Sequence, residues 1–333
     1  VTESPDVYVS LGKTAFVDVA LQFGQLEQKV TVTANGIPTP EAQSGASTTV
    51  VDQSLYPYVI DIQDTLRMVS GLQFVTSGQR GAATSLFEMG GNSNATDVLL
   101  DGVPINDIGG ESNFAYLAAN GISQAEVYRG PDSALYGANA SAGVGALTTA
   151  RGTTSKPTLQ YAADGGNFGT YRQEASLGGT HKAFDYFGDF ARIDTSNSYP
   201  NRTFHNASSV ANLGYALTPH VQVRATVHRV AAATGEPNAL LFYGIPSSEY
   251  LKEHDLYGSA TLENRQSDKL DMIAQYGLVR LRLLDTNPAP AGILTENPNN
   301  FNCFDGNNPG APEYLGAPVT IRGANGTSAR GQA

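Results

Sequence analysis

Apolar and polar residues alternate along much of the chain beyond Arg151. Over 171–177 the apolar positions share one face, while an arginine, a glutamate and a serine share the other. The same period of two recurs over 184–190, 211–217, 221–227, 256–262 and 270–283. A period of two indicates β-strands with one apolar face. Near Leu278 the phase slips, which predicts a β-bulge there.

The predicted strands are long, and their length separates two kinds of β protein. Alternating strands of about ten residues, with short turns at one end and long loops at the other, are typical of transmembrane β-barrels. A soluble β-sandwich shows the same alternation, but its strands are usually about 5–6 residues long. We count seven strands of the barrel kind. From Asp285 onward the pattern predicts loop, with 318–322 as the one further candidate strand.

Residues 41–152 follow a different pattern, which predicts a compact α+β unit. Ile62, Leu66 and Val69 have helical spacing, and the predicted helix ends at Gly71. Short apolar runs that stop at glycine-containing turns indicate buried strands. Such strands are predicted at 98–100, 125–128 and 144–147, and a short helix at 131–137.

Two segments precede this unit. Residues 1–24 carry short alternating stretches that are too few to bury a core alone, so we expect them to be the end of a small β domain. Residues 25–40 form a proline-containing linker in which Val30, Val32 and Ala34 alternate with threonines. Such an extended segment can add a strand to a partner's sheet, and an ordinary linker strand has the same pattern.

Composition narrows the class of protein. Lys and Arg number 20 against 31 Asp and Glu, so the net charge of −11 argues against a nucleic-acid partner. Charged residues make up 15% of the 333-residue chain, whereas soluble domains carry about 25%. No stretch approaches the roughly 18 apolar residues of a membrane-spanning helix. A glycine-rich extracellular β protein and an outer-membrane barrel remain, because barrel strands alternate and are not hydrophobic on average.

Residue types that carry catalysis or bind metals form no complete motif. The segment 91–95 approaches a nucleophile elbow but lacks the closing glycine. The five histidines show no metal-ligand spacing. The single cysteine, Cys303, provides neither an internal disulfide nor a cysteine metal cluster. We therefore predict no catalytic residue, no metal and no cofactor, and a protein that is not an enzyme.

Six motifs follow one another within 62–151. They are 62–72 (IQDTLRMVSGL), 90–94 (GGNSN), 98–104 (VLLDGVP), 125–131 (AEVYRGP), 134–137 (ALYG) and 138–144 (ANASAGV). Together they resemble the plug domain of TonB-dependent outer-membrane receptors. The resemblance implies a plug inside the lumen of a 22-stranded barrel. Its motif residues are Gly90, Gly91, Asp101, Gly102, Arg129, Gly130, Pro131, Tyr136 and Gly137.

The flanking segments agree with this resemblance. The family's energy-coupling box is matched by Val30, Thr31, Val32, Thr33 and Ala34. Residues 1–24 look like the tail of a carboxypeptidase-regulatory-like domain, and 153–333 like a partial barrel with long loops. The expected fold is therefore mainly β, a small α+β plug followed by the first strands of a transmembrane antiparallel barrel. Because 153–333 is too short for 22 strands of about ten residues, we expect the chain to be a fragment.

Met89 departs from the family pattern, which has an arginine before Gly90. That arginine and Arg129 are expected to pair with barrel glutamates and hold the plug. With Met89 in place of that arginine, the ionic attachment of the plug to the barrel would be weaker here or formed by other residues. Arg129 is the residue to which we assign this attachment by resemblance. The loops 78–84 and 105–113 are where we expect contact with an extracellular ligand.

The resemblance implies a receptor of the Gram-negative outer membrane. It would bind a scarce ligand outside the cell and release it inward when a periplasmic TonB-type energy transducer displaces the plug. The implied partners are this transducer, outer-membrane lipid, and a siderophore, cobalamin, metal chelate or glycan, among which the sequence does not distinguish. The alternatives are a soluble extracellular all-β adhesin or carbohydrate-binding protein, and a receptor used mainly for signalling. A need for detergent would separate a barrel from a soluble protein.

Overall fold

The computed structural model describes residues 30–32, 38–40, 47–236, 249–267, 270–290 and 318–332. Strands β1 (Val30–Val32) and β2 (Pro38–Pro40) pair antiparallel, with Thr31 opposite Thr39. An α+β unit follows, and then an antiparallel sheet of long strands. The β-domain end predicted for 1–24 lies outside the described residues.

The α+β unit is built on a mixed sheet. Its elements are β3 (Ser47–Asp52), α1 (Ile62–Leu66), β4 (Leu72–Thr76), β5 (Thr84–Glu88), β6 (Thr96–Leu100), β7 (Val103–Pro104), β8 (Ile122–Arg129), α2 (Ser133–Tyr136) and β9 (Gly143–Thr149). Five strands form a sheet in the order β3-β8-β9-β6-β7, with β6 and β9 parallel. Strands β4 and β5 form a separate hairpin. The elements predicted near 62, 98, 125, 131 and 144 are all present.

The residues predicted from helical spacing to form the core of this unit are buried in the structure. Ile62, Leu66 and Val69 are all buried in one apolar cluster. Helix α1 ends at Leu66, and Val69 follows in a tighter turn, in which its N–H donates to the Leu66 carbonyl at 3.0 Å. Gly71 then adopts a φ of +91° and ends the segment. This conformation is open to glycine because it has no Cβ.

The second body is one sheet of eight antiparallel strands in sequential order. They are β10 (Thr158–Gly165), β11 (Tyr171–His181), β12 (Phe184–Thr195), β13 (Phe204–Thr218), β14 (Val221–Glu236), β15 (Glu249–Ser267), β16 (Leu270–Pro290) and β17 (Pro318–Gln332). The prediction of loop beyond Asp285 was wrong for 285–290 and for 323–332, because β16 continues to Pro290 and β17 extends to Gln332. The candidate strand at 318–322 is the start of β17, and 291–317 lie outside the described residues. The Asn-, Gly- and Thr-containing sequences of 285–290 and 323–332 show little alternation, but backbone pairing with a neighbouring strand does not require it.

The two faces of this sheet have opposite character. The face turned toward the α+β unit carries buried polar side chains, among them Asp189, Asn206, Ser208, Asn212 and His228. The outward face carries exposed large apolar side chains, among them Leu159, Tyr161, Leu177, Phe190, Leu213, Tyr215 and Tyr276. Apolar-out and polar-in alternation is the pattern of membrane barrel strands. Within the described ranges, no helix is both long and apolar enough to cross a bilayer.

The phase slip near Leu278 is not a bulge. Strands β15 and β16 keep one register through this region, with Tyr257 opposite Val279 and Leu262 opposite Ala274. Val279 and Leu281 pack on the apolar core of the α+β unit, whereas Arg280 is exposed. The apolar and polar positions of β16 exchange faces here because the inner face contacts the apolar core of the α+β unit, while the outer face carries charged residues.

Candidate functional site: the junction between the α+β unit and the sheet

The turn between β6 and β7 reaches the inner face of the sheet. Asp101 and Gly102 form this turn with φ values of +49° and +80°, a geometry that an Asp-Gly pair favours. Gln275 Nε2, on β16, donates to the Asp101 carbonyl at 2.5 Å. A Cβ added to Gly102 would lie 2.9 Å from the Gln275 amide oxygen. The turn is therefore seated directly against β16.

The Asp101 carboxylate connects the same turn to β14. It accepts hydrogen bonds from the Thr149 N–H at 2.9 Å and from the Thr149 hydroxyl. His228 Nε2 lies 2.7 Å from Thr149 Oγ1 and 3.7 Å from Asp101 Oδ2. Burial alone would raise the pKa of Asp101, but the neighbouring His228 and the two hydrogen bonds from Thr149 together lower it. Asp101 therefore remains an ionised acceptor at the junction.

A second polar contact joins the segment before β8 to β12 and β13. Asn120 Nδ2 donates to Asp189 Oδ1 at 2.6 Å, and Asn120 Oδ1 accepts from Ser208 Oγ at 2.5 Å. Asn206 Nδ2 donates to the Tyr116 carbonyl at 3.0 Å. Each such bond contributes a net free energy of only about 0.5–1.5 kcal/mol, because it replaces hydrogen bonds to water. A contact of this kind can be broken and made again.

A third contact brings the loop before β5 to the connection between β12 and β13. The Ser198 N–H donates to Gln79 Oε1 at 2.9 Å, and Asn197 Nδ2 donates to the Arg80 carbonyl at 3.0 Å. A Cβ on Gly81 would lie 2.4 Å from the Phe204 ring. The loop 78–84, expected to face a ligand, thus packs on the sheet along part of its length.

In the described part of the chain, Arg129 bonds to its own unit and to no carboxylate of the sheet, so the tether expected from the family stays a prediction. Its Nε donates to the Ser70 carbonyl at 2.7 Å, and its Nη1 to Ser47 Oγ at 2.7 Å. Its Nη2 donates to the Thr49 hydroxyl. The side chain is held by neighbouring segments of its own unit, so here it joins β3, β8 and the end of the first helical segment.

The remaining motif residues shape turns of the α+β unit. Met89 and Gly90 have φ values of +50° and +79°, and the Gly91 N–H donates to the Glu88 carbonyl at 2.7 Å. Gly130 has a φ of +113°. The connection from β8 to β9 contains Pro131, Tyr136 and Gly137, and Tyr136 packs against a small apolar cluster of Leu99, Tyr128, Ala140 and Val144. These positions support local structure and do not converge on one site.

The residues of the predicted energy-coupling box are only partly described. Val30, Thr31 and Val32 form β1, whereas Thr33 and Ala34 lie outside the described residues. The box therefore stays a prediction at this point.

Glu88 is a buried carboxyl group inside the α+β unit. It is fully buried, and a Cβ on Gly143 would lie 2.3 Å from its carboxylate atoms. Burial raises the pKa of Glu88 to about 7, because nearby Thr96 and Arg129 only partly offset the desolvation. Strand β9 thus needs a glycine where it passes this side chain.

This pKa predicts that the α+β unit gains stability as the pH falls. The folded-state pKa lies above the unfolded value, so folding favours the protonated form, and the penalty is complete above about pH 7. Glu88→Gln should stabilise β5 and β9 by about 3–3.5 kcal/mol at pH 8 and by little at pH 4.5, since the pKa rises from 4.5 to about 7 and each pKa unit is worth about 1.4 kcal/mol. Hydrogen exchange of the intact protein at both pH values measures this. The exposed Glu111→Gln is the control, and an equal effect of Glu88→Gln at both pH values would contradict the assignment.

Sequence reasoning missed the residues that form most of the junction. Asn120, Asp189, His228 and Gln275 belong to no motif, and their contacts join positions far apart in the chain. The sequence does contain one signal for these contacts, which is the polar face of each alternating strand. A polar face does not contact lipid, so it must pack on protein or water, and Asn206, which bonds to Tyr116, lies on that face.

Comparison with known proteins identifies relatives of both bodies. The family model described as "TonB-dependent Receptor Plug Domain" matches residues 40–144. The vitamin B12 transporter BtuB of Vibrio vulnificus strain CMCP6 is 35% identical over 162 residues, 46% of this chain and 27% of that protein. BtuB of strain YJ016 is 29% identical over 270 residues, 74% of this chain and 43% of that protein. The chain thus spans less than half the length of these relatives.

Solved structures share the fold at low sequence identity. The ferripyoverdine receptor of Pseudomonas aeruginosa superimposes with a TM-score of 0.64 at 14% identity, over 80% of this chain and 38% of the receptor. BauA, the ferric preacinetobactin receptor of Acinetobacter baumannii, gives a TM-score of 0.62 at 14% identity, over 78% and 41%. In each case the matched region comprises most of this chain and less than half of the receptor.

Proposed function

Because the chain is part of a TonB-dependent receptor, a protein of the bacterial outer membrane, we propose that it takes up a scarce ligand. The α+β unit is the plug, and the eight-stranded sheet belongs to the barrel wall. The whole receptor binds its ligand outside the cell, and a periplasmic TonB-type transducer then displaces the plug. The family consists of receptors and transporters, and we propose no catalytic role for this chain.

The observation that carries this proposal is the polar junction. Asp101, Asn120 and their partners hold the plug to the inner wall through separate hydrogen bonds, which suits a part that must hold at rest and yield under force. Apolar contacts, such as that of Val279 with the core of the plug, also lie at this junction, but the polar groups can exchange their partners for water as the plug moves. The same polar face lets water follow the plug as it moves.

The geometry of β1 supports its role as the docking strand for the transducer. In an antiparallel ladder, residue pairs alternate between hydrogen-bonded and non-hydrogen-bonded. Pro38 and Pro40 have no N–H, so the hydrogen-bonded pair of β1 and β2 is Thr31 with Thr39. In an antiparallel pair the flanking residues then point their backbone groups to the opposite edge. The N–H and C=O groups of Val30 and Val32 are therefore offered to an added strand, which is the arrangement that β-augmentation requires.

The charge of the inner wall favours an uncharged or cationic ligand. Glu253 and Asp255 are inward-facing on β15, near the end that carries the long connections, and Asp255 accepts a hydrogen bond from the Tyr257 hydroxyl at 3.0 Å. Glu236 and Asp107 are further acidic residues near them. A group of acidic residues gives an anion no cationic partner, so a polyanionic iron chelate would be disfavoured. The two BtuB relatives are vitamin B12 transporters, and a cobalamin-like ligand is compatible with this acidic wall.

Uptake in cells tests the proposal. The full-length receptor is expressed in a host that lacks its own cobalamin and siderophore receptors, with and without the transducer. We expect transducer-dependent uptake of labelled cyanocobalamin or of an uncharged ferric siderophore, and little uptake of a triply anionic ferric catecholate. The same uptake without the transducer would contradict active transport. Preference for the anionic chelate would contradict the inference about charge while leaving transport intact.

A further inference from the structure

A hollow opens on the surface of the plug beside the hairpin of β4 and β5. Its volume is about 530 Å³, and none of the described residues that line it carries a charge. The lining includes Gly71, Val75, Phe87, Met89, Gly90 and Gly91, and we call it the Met89 hollow. Exposed apolar surface of this extent marks an interaction site, so the hollow indicates a contact.

The hairpin turns one face to the plug core and the other to the hollow. On the core side Leu86 is buried. On the other side Gln73 lies opposite Phe87, and Val75 is 48% exposed. A strand face that stays in water is usually polar. This one carries a valine and a phenylalanine, and Met89 continues it just beyond the end of β5.

Met89 has a strained backbone and an exposed side chain. Its φ of +50° lies in the left-handed region, which glycine adopts readily and methionine adopts at a cost in free energy. The side chain is 61% exposed, so contacts within the plug offset little of that strain. Strained residues persist where the surrounding structure requires them. A contact from outside the plug would bury the methionine and supply that requirement.

The hollow lies across the plug from the described wall. Strand β8 begins beside the wall, where a Cβ on Gly121 would lie 2.9 Å from Val210. It ends at Arg129, and a Cβ on Gly71 would lie 3.3 Å from Arg129 Cδ and 2.8 Å from Met89 Sδ. The eight extended residues of β8 span about 23 Å. Within the described residues no hydrogen bond or ion pair joins the side chains of the hollow to the sheet.

The fold identifies what faces the hollow. A sheet in a bilayer closes on itself, because the N–H and C=O groups of a free edge have no partners in lipid. This chain spans less than half the length of its relatives, so other strands of the same receptor pass the far end of the plug. We propose that one of them inserts a large uncharged side chain into the Met89 hollow and holds the plug to the far wall without an ion pair. This inference rests on the proposed placement of the plug inside the barrel.

The surroundings of the hollow favour an uncharged occupant. Arg129 borders it, but all three of its side-chain nitrogen atoms already donate hydrogen bonds within the plug. A carboxylate in the hollow would lose its hydration and find no unoccupied cation, which is costly. An apolar side chain would instead remove the exposed valine, phenylalanine and methionine from water. Methionine is flexible and polarizable, so such a contact adapts as the plug moves.

Photocrosslinking in the full-length receptor tests the contact directly. p-Benzoylphenylalanine replaces Met89 or, as the control, Ile108, which is 86% exposed in the loop 105–113. Outer membranes are irradiated, and mass spectrometry identifies the crosslinked peptide. We expect position 89 to crosslink to an uncharged, inward-facing position of a barrel strand outside this chain, and position 108 to give a different product. Crosslinks from position 89 only within this chain, or none, would overturn the proposal.

Substitutions at Met89 test the chemistry of the contact through the sensitivity of cells to a large antibiotic that the outer membrane excludes. Met89→Leu keeps an apolar side chain of similar volume and should seal as the wild type does. Met89→Arg and Met89→Glu should each raise sensitivity about tenfold, because an unpaired charge at a dry contact costs at least that factor. Ile108→Arg is the control and should change nothing.

The two charged variants separate the possible kinds of wall. If Met89→Arg sealed as well as the wild type while Met89→Glu leaked, the far wall would carry a carboxylate and the uncharged contact would be wrong. If neither leaked, the hollow would not contact the wall at all. Both measurements are made without ligand. An absence of transducer-dependent uptake would therefore contradict the proposed function and leave this inference standing.

Discussion

Replacing Val32 with proline is expected to reduce energised ligand uptake to roughly background while ligand binding at the cell surface stays unchanged. Proline removes the backbone N–H that Val32 offers at the free edge of β1, so an added strand loses a hydrogen bond where it pairs. Ligand binding is spared because the substitution lies ahead of the plug. The measurement is the ratio of transducer-dependent uptake to surface binding of the same labelled ligand.

Two further substitutions separate strand addition from general damage. Val32→Thr keeps the N–H and a high β propensity, so it should transport nearly as well as the wild type. Thr31→Pro breaks the pair with Thr39 and should free β1 from β2, with a smaller effect on uptake if the transducer binds the opposite edge. Normal uptake by Val32→Pro would show that the transducer does not dock on this strand. Equal loss in Val32→Thr would show that the valine side chain is what matters.

The elements of the plug could be predicted because their signals are local. Ile62, Leu66 and Val69 recur at helical spacing, and the Asp101-Gly102 turn has the chemistry of a tight hairpin. The structure buries the first three together and gives both turn residues positive φ. Such features depend on neighbours a few residues apart, and the sequence displays them directly.

The end of the sheet was predicted less well for a physical reason. Strand β17 shows apolar alternation only over 318–322, and the rest of it is placed by pairing with β16, as with Arg280 opposite Thr327. The slip near Leu278 was interpreted as a bulge because polarity alone cannot tell a shifted register from a face whose surroundings change. Val279 packs on the plug, and only the tertiary contact explains its position.

The position of Arg129 could be predicted from its motif, whereas its contacts could not. The residue is where the family motif places it, but its donors bind Ser70, Ser47 and Thr49 within the plug. The junction is instead carried by amides and hydroxyls such as Asn120 and Ser208, which many surface positions share. Their significance depends on which face of the barrel wall they occupy, and that is a property of the assembled fold.

Gly152→Ala is expected to be among the most damaging single-methyl additions in the described chain, because Gly152 lies where the plug's chain joins the wall. A Cβ at this position would lie 2.2 Å from the Gly179 carbonyl oxygen and 2.3 Å from the Tyr186 carbonyl oxygen. These atoms belong to the backbones of β11 and β12, which pair with each other at this point. A backbone atom cannot rotate away as a side chain would. The chain around Gly152 must therefore shift, and we expect the free energy of unfolding to fall by about 3 kcal/mol.

Gly145→Ala is the matched control for this substitution. It adds the same methyl group to β9, where nothing lies within 4 Å, so its effect should stay within about 0.5 kcal/mol. A shift of the chain at Gly152 would lengthen the hydrogen bond that Asn212 Nδ2 donates to the Ala150 carbonyl, which is 3.0 Å long. The contact between the plug and β13 would then be weaker. Cells with the Gly152→Ala receptor should therefore become sensitive to a large antibiotic that the outer membrane excludes, and hydrogen exchange of β9 should rise. If both alanine variants matched the wild type in these two measurements, the chain at Gly152 would not be the rigid attachment that its backbone contacts indicate.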